Sequence, residues 1–295
     1  MKDWDFAIKN IVKDDLRSSF ATRANRAQML SQFGQQLREL GYKLNHPRGL
    51  KQKHILALIE QWKKEEKPAA TIKNRISNLR WLVSQKTVNR EKIIPPKNAE
   101  LGIENRVYLK NDEQKAFQIL PGHLEAIKDE ALKASLLLQK EFGLRREEAL
   151  KIRPWSADKG EHLHLQASWC KGGRERNIPI RTAAQRQALD MAKKIAESIG
   201  GRHGSLIPKE LSYKEHMKHY EKQTLAAGIH GHGIRHQYAQ DRFKNLTGLD
   251  CPKAGGLTWK ELTTEQQKIV RTARLTIASE LGHGREIIAN NYLGK

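Results

Sequence analysis

The sequence predicts a mainly α-helical chain with a small β element, divided into two domains, and three observations lead there. Apolar residues recur at helical spacing through most of the chain. Two short β-like segments flank a single Lys-Gly-Gly-Arg turn, and an aperiodic stretch around Pro95-Pro96 separates the first hundred residues from the rest. The length, 295 residues, suits two domains that each bury a core.

In the first domain, Leu30, Phe33, Leu37 and Leu40 share one helix face, and Ile55, Leu58, Ile59 and Trp62 share a second. Ile72, Ile76, Leu79 and Val83 form a third. Pro47-Arg48-Gly49 and Lys67-Pro68 punctuate these helices. On the third helix Lys73, Ser77 and Arg80 lie at i, i+4, i+7 away from the apolar stripe. That spacing suits a basic stripe laid against a duplex and equally a solvated helix face. The expected division is 1–95, a linker over 96–110, and a second domain over 111–295. In that second domain Leu124 to Leu138 reads as an apolar-rich helix running into Phe142. His162 to Ser168 and Asn177 to Ile180 read as strands joined by Lys171-Gly172-Gly173-Arg174, and helical patterns resume from Thr182.

Composition narrows the function. With 38% hydrophobic residues the chain is too apolar to be disordered, and its longest aliphatic runs, such as Ile55 to Ile59, are far shorter than the roughly 20 residues of a spanning helix. The acid-bearing N-terminus lacks the apolar segment of a secretory signal, and Cys170 and Cys251 cannot form a disulfide framework, so an intracellular setting is expected. The net charge is +21. Residues 1–100 hold 21 basic and 10 acidic side chains and residues 101–295 hold 33 and 23, so both domains are basic. A polyanion touching both would explain that spread through phosphate neutralisation; a generally basic protein would explain it too.

Motifs narrow it further. No Gly-x-x-x-x-Gly-Lys-Ser/Thr occurs, and Gly231-His-Gly233 lacks the third glycine of a dinucleotide fingerprint. His230, His232 and His236 are crowded enough to suggest metal ligation, but no cysteine or acidic cluster accompanies them. The remaining polar residues fall in order along the second domain. Arg145 and Glu148 stand at i, i+3 after Gly143-Leu144, and Lys171 sits on the strand-joining turn. His232 and Arg235 stand at i, i+3, and Leu281-Gly-His283 is followed nine residues later by Tyr292.

With these four motifs in this order, the sequence resembles the tyrosine recombinase (phage integrase) family: its Gly-Leu-Arg box, hairpin lysine, His-x-x-Arg box and Leu-Gly-His…Tyr ending. The resemblance implies an N-terminal helical, SAM-like core-binding domain and an α/β tyrosine-recombinase catalytic domain. It also implies site-specific cutting and rejoining of duplex DNA through a 3′-phosphotyrosyl intermediate and a Holliday junction, in the integration or excision of a mobile element.

The residue types make chemical sense on their own. Guanidinium groups stay protonated and grip phosphate in a bidentate way, so Arg145 and Arg235 suit the charge of a phosphorane. A phenol ionises near pH 10 in water and needs help to act as a nucleophile, the role expected of Tyr292. A lysine on a hairpin can protonate the departing 5′ oxygen, the role expected of Lys171. By resemblance, His232 assists proton transfer, His283 hydrogen-bonds the scissile phosphate, and Glu148 supports the arginine and histidine side chains. Each residue also has a plainer reading: Arg145 as a surface ion pair with Glu148, Lys171 as turn chemistry, the histidines as structural. Tyr238, close to the His-x-x-Arg box, is a rival phenol expected to pack.

Lys73, Ser77, Arg80, Arg146 and Arg174 are the candidate DNA contacts. No metal, nucleotide or other cofactor is expected. The partners implied are double-stranded DNA with inverted half-sites, a homodimer on each site, a homotetramer in the synapse, and a directionality or host DNA-bending factor. The setting is cytoplasmic, at the bacterial nucleoid, with no membrane. Alternatives are a type IB topoisomerase or telomere resolvase using the same constellation, and a non-catalytic architectural DNA-binding protein. Two features depart from the family pattern: a long stretch between Arg235 and His283, and only three residues after Tyr292.

Overall fold

The structure, a computed structural model, describes residues 2–85, 88, 93–104 and 113–295. The chain divides into two compact units, Met1–Lys110 and Asn111–Lys295. Their content is mainly helical with one two-stranded sheet, the expected fold class. No helix among the described residues is long and apolar enough to cross a membrane.

The first unit is built from α1 (Lys2–Lys13), α2 (Phe20–Glu39), α3 (Gln52–Lys64) and α4 (Ala69–Ser84). The three predicted stripes fall on α2, α3 and α4 and meet in one apolar core, with Leu40 as the exception: it caps α2 and is 39% exposed. Sequence reading did not assign α1, although Trp4, Ile8, Ile11 and Val12 repeat at helical spacing and are buried in the same core. The Trp4 indole donates to the Leu30 carbonyl at 3.0 Å, and its ring occupies the space a side chain at Gly34 would need. Of the expected linker, Leu101 and Ile103 are buried in this first core, and residues 105–110 lie outside the described residues.

In the second unit, α5 (Pro121–Glu125) and α6 (Glu130–Phe142) replace the single helix expected from Leu124. Asp129 causes the break: its carboxylate accepts from the Ala131 and Leu132 amides at 2.8 and 3.1 Å and starts a new helix. α6 ends on Gly143 at φ 61°, where the Tyr238 ring also fills the position of a Cβ, so both backbone and packing require glycine. Next come α7 (Arg146–Lys151), α8 (Pro154–Ala157) and the antiparallel hairpin of β1 (His162–Leu165) and β2 (Arg176–Pro179), with Leu165 opposite Arg176. The first strand is three residues shorter than expected, because Ala167–Trp169 close a 3₁₀ turn.

α9 (Ala183–Gly200), α10 (Tyr213–Ala226), α11 (Gly231–Thr247), α12 (Thr264–Glu280) and α13 (Asn290–Leu293) complete the unit. Thr182, Ser212 and Thr263 cap three of them with reciprocal capping boxes. One core lies between α6, the hairpin and α9, and another between α11, α12 and α13. The candidate residues are set around the ends of these elements.

Candidate active site

The Gly-Leu-Arg turn and the start of α7 place the first charged group. Arg145 is the residue before α7, and Glu148 reaches back to it. The Arg145 amide donates to Glu148 Oε2 at 2.8 Å and its Nη1 donates to Oε1 at 2.8 Å. Glu148 is fully buried, a position that favours a neutral carboxyl, yet it is held down to about 2 by hydrogen bonds and charge from Arg176 and by Arg145. Both partners of Glu148 are therefore arginines, where the resemblance assigned it an arginine and a histidine. Arg145 remains half-buried, and among the described residues its Nε and Nη2 make no hydrogen bond.

α11 places the second charged group. Arg235 is 1% exposed, and its two Nη atoms donate to the main-chain carbonyls of Gly143 and Leu281. Its Nε donates to the phenol oxygen of Tyr292 at 3.3 Å. Burial lowers Arg235 to about 10, which still leaves it protonated at neutral pH. His283 Nε2 lies 3.1 Å from the same phenol oxygen and 3.5 Å from Arg235 Nη2. Desolvation and the charges of Arg235, Arg145 and Arg176 push His283 down to about 4, so its ring is neutral. A guanidinium can only donate, so this geometry suits an Nε2 that accepts, including from the Tyr292 hydroxyl.

Two more imidazoles stand beside the phenol. The His236 ring packs on the Tyr292 ring at 4.6 Å between centroids and meets His232 edge-on at 5.1 Å. His236 is buried and pushed down to about 4 by desolvation first and then by surrounding cations, while among the described residues its Nδ1 has no hydrogen-bond partner. His232 is exposed, its ring 6.3 Å between centroids from that of Tyr292; partial desolvation followed by Arg235 and Arg145 lowers it below the usual histidine range. His230 turns instead to Phe117, 5.4 Å between centroids. Arg145, Glu148, His232, Arg235, His283 and Tyr292 thus converge through hydrogen bonds, ring contacts or mutual charge. Tyr238 does not join them. Its hydroxyl donates to Glu280 at 2.8 Å, and burial and that carboxylate push it above the usual phenol range.

Lys171 stands exposed at the start of the hairpin loop and bonds to none of these groups. Gly172 and Gly173 beside it have positive φ, which turns the loop. Of the candidate DNA contacts, Arg80 is used otherwise: its guanidinium donates to the Pro95 carbonyl at 2.7 and 3.1 Å and to Asn98 at 2.8 Å, fastening the segment after α4. Ser77 bonds back to the Lys73 carbonyl, and Lys73 is half-buried. Arg146 is exposed and paired with Glu221 at 2.7 Å, and Arg174 is exposed beside the Gly284 backbone.

The stretch between Arg235 and His283 has a use that sequence reading missed. The turn Pro252–Ala254 packs on α13, and Lys253 Nζ donates to the Asn291 carbonyl at 3.0 Å. Gln240 donates to the Tyr292 carbonyl at 3.1 Å, and Arg274 donates to the Asn290 side chain and to the Gly294 carbonyl. The tyrosine helix is thereby held by side chains of its own chain. Arg176 was also missed, because its partners Glu148 and Glu280 lie far away in sequence.

Comparison with known proteins bears on this geometry. The sequence profile of the family described as Phage integrase, N-terminal, matches residues 1–93, and that described as Integrase matches residues 111–241. None of the curated proteins compared matches the chain. Among solved structures, lambda integrase (residues 75–356), as a dimer bound to a COC′ core site, is similar with a TM-score of 0.59 and 16% identity. That match covers 99% of this chain and 94% of that one. XerH site-specific recombinase bound to difH is similar with a TM-score of 0.57 and 13% identity, over 98% and 80% of the two chains. The Tn1549 transposon integrase, in complex with transposon right end DNA, gives a TM-score of 0.52 and 13% identity over 98% and 95%. At these identities the likeness is one of fold. The two profiles, matched in order over most of the sequence, place the chain in the tyrosine recombinase, or phage integrase, family of site-specific DNA cleaving and rejoining enzymes.

Proposed function

We propose that this recombinase breaks each strand by attack of the Tyr292 phenol oxygen on the scissile phosphorus, and that the six convergent side chains and Lys171 divide the work as follows. Arg145, with Nε and Nη2 uncommitted, and Arg235, fixed by two carbonyls, bind the non-bridging oxygens and offset the charge of the phosphorane. In place of the scissile-phosphate contact that the resemblance implies for it, His283 Nε2 accepts the phenol proton as the O–P bond forms, and the Arg235 Nε–H supports the oxygen as charge gathers on it. The P–O5′ bond breaks, and Lys171 gives its proton to the departing 5′ oxygen. The exposed His232 assists proton transfer, and Glu148 holds Arg145. Rejoining runs the same steps backward with a new 5′-hydroxyl. One phosphodiester replaces another, so no nucleotide hydrolysis enters the balance.

The observation that carries this reading is the phenol oxygen of Tyr292 held 3.3 Å from the Arg235 Nε and 3.1 Å from the His283 Nε2. The chain acts on duplex DNA with inverted half-sites, as a dimer on each site and a tetramer in the synapse, with a Holliday junction between the two strand exchanges. The net charge of +21 suits such a polyanionic partner. A nicked suicide substrate tests the chemistry. Tyr292→Phe is expected to bind DNA normally and to form no covalent adduct; an adduct formed by that variant removes Tyr292 as the nucleophile.

A further inference from the structure

We propose that Arg176 is the positioning residue that sets the Lys171 loop, the Arg145–Glu148 pair and the His283 turn in one register. The inference rests on the reading of Lys171 as proton donor. Arg176 opens β2 where the chain returns from the loop that Lys171 begins, and its side chain is buried. Its Nη1 and Nη2 donate to the two Glu148 oxygens at 3.1 and 2.7 Å, a bidentate pair. Its Nε donates to the Glu280 carbonyl at 2.7 Å, at the end of α12, and its Nη1 stands 3.4 Å from Cys170 Sγ.

Each contact falls on a different part of the site. Glu148 holds Arg145. Glu280 precedes Leu281, whose carbonyl holds Arg235, and the turn that carries His283 follows at once. Cys170 precedes Lys171, so the exposed loop 171–175 leaves the fold and returns to it at two residues joined to one guanidinium. The turn before His283 closes against the same group: a Cβ on Gly282, which has φ 67°, would lie 3.1 Å from Arg176 Cδ and Nη1. A lysine ammonium cannot span two carboxylate oxygens and a carbonyl with one fixed fork, so this post is specific to arginine. Arg176 acts through its neighbours; no reacting atom is required to touch it.

The test measures covalent adduct formation by the full chain on two substrates. One is all-oxygen and the other carries a bridging 5′-phosphorothiolate, whose thiolate leaves without a proton. Parent, Lys171→Ala and Arg176→Lys are compared. Arg176→Lys is expected to lose at least about tenfold on the all-oxygen substrate, part of the roughly 10²–10⁴-fold that a general acid contributes, and distinctly less on the phosphorothiolate. The ratio of the two rates is read from one preparation, so a partly folded sample does not change it. Should Arg176→Lys yield no folded protein, Gly282→Ala, which forces a methyl group against the Arg176 side chain, is expected to move the ratio in the same direction. A parental ratio in these variants, with Lys171→Ala rescued on the phosphorothiolate, overturns the role of Arg176 and leaves that of Lys171 standing. Equal impairment of Lys171→Ala on both substrates overturns the role of Lys171, and the role of Arg176 with it.

Discussion

The interior of the first unit and that of the second are made of different material. Among the described residues, Met1–Lys110 buries apolar side chains with His54 as the polar exception. Asn111–Lys295 buries the arginines Arg176, Arg235 and Arg274 and the glutamates Glu148 and Glu280. An apolar core is specified by volume and pattern and accepts exchanges that keep both. A charged interior is specified by pairing: each member is tolerable only because its partner is in place, and removal of one leaves the other desolvated and alone. The interior of the first unit therefore tolerates exchanges that keep volume and pattern. The second accepts a costly interior in which two guanidiniums and a phenol are held at fixed distances.

The largest expected effect strikes the charged interior at its centre. Glu148→Gln keeps the shape but removes the charge between Arg145 and Arg176, and is expected to lower stability by about 3–5 kcal/mol in urea unfolding. A cost below about 1 kcal/mol would erase the contrast between the units. Next is acid. His236 and His283 are held near 4 in the folded chain against the 6.5 of an ordinary histidine, so as pH falls through that interval the unfolded chain takes up protons that the folded chain does not. Stability present above about pH 6.5 is lost as pH falls toward 4. His54 in the first unit is also lowered and shares the sign. His236→Phe should accordingly flatten the pH dependence of the urea midpoint without abolishing it, and an unchanged slope would exclude His236 as a contributor.

Smaller effects complete the contrast. Ile59→Leu in the first core conserves volume and is expected to cost less than about 1.5 kcal/mol, with the adduct formed per folded molecule unchanged. Smallest is Lys253→Ala, which removes one exposed hydrogen bond to the tyrosine helix and is expected to cost about 0.5 kcal/mol. Its signature is faster proteolysis at the C-terminal end than elsewhere in the chain; uniform proteolysis would deny Lys253 that grip.

What the sequence disclosed follows from how local each signal is. The stripes of α2, α3 and α4 are periodic within one element, and Gly143-Leu-Arg145, His232-x-x-Arg235 and Leu281-Gly-His283 are runs of three or four residues. Each could be read where it stands. α1 carried an equally local stripe from Trp4 to Val12 and was legible, though it was not assigned. The break before α6 hung on a single Asp129 capping bond, a weaker signal than the apolar pattern that runs across it. Arg176 and Arg80 were hidden for another reason. An arginine between Glu175 and Asn177, or on a basic helix face, looks like any surface cation until the chain brings Glu148, Glu280 or Pro95 to it. The stretch from Leu246 to Trp259 carries no period, and its use emerges only where Lys253 meets α13.

The grip on that last helix has a consequence for protein engineering. Lys253, Gln240 and Arg274 take hold of the carbonyl oxygens of Asn291, Tyr292 and Gly294, and every amino acid supplies such an oxygen. Side-chain identity at position 291, which faces outward, is left out of the bargain. A library randomised there should still seat the Tyr292 side chain, making this a convenient attachment point for a fluorophore or crosslinker a single residue from that phenol.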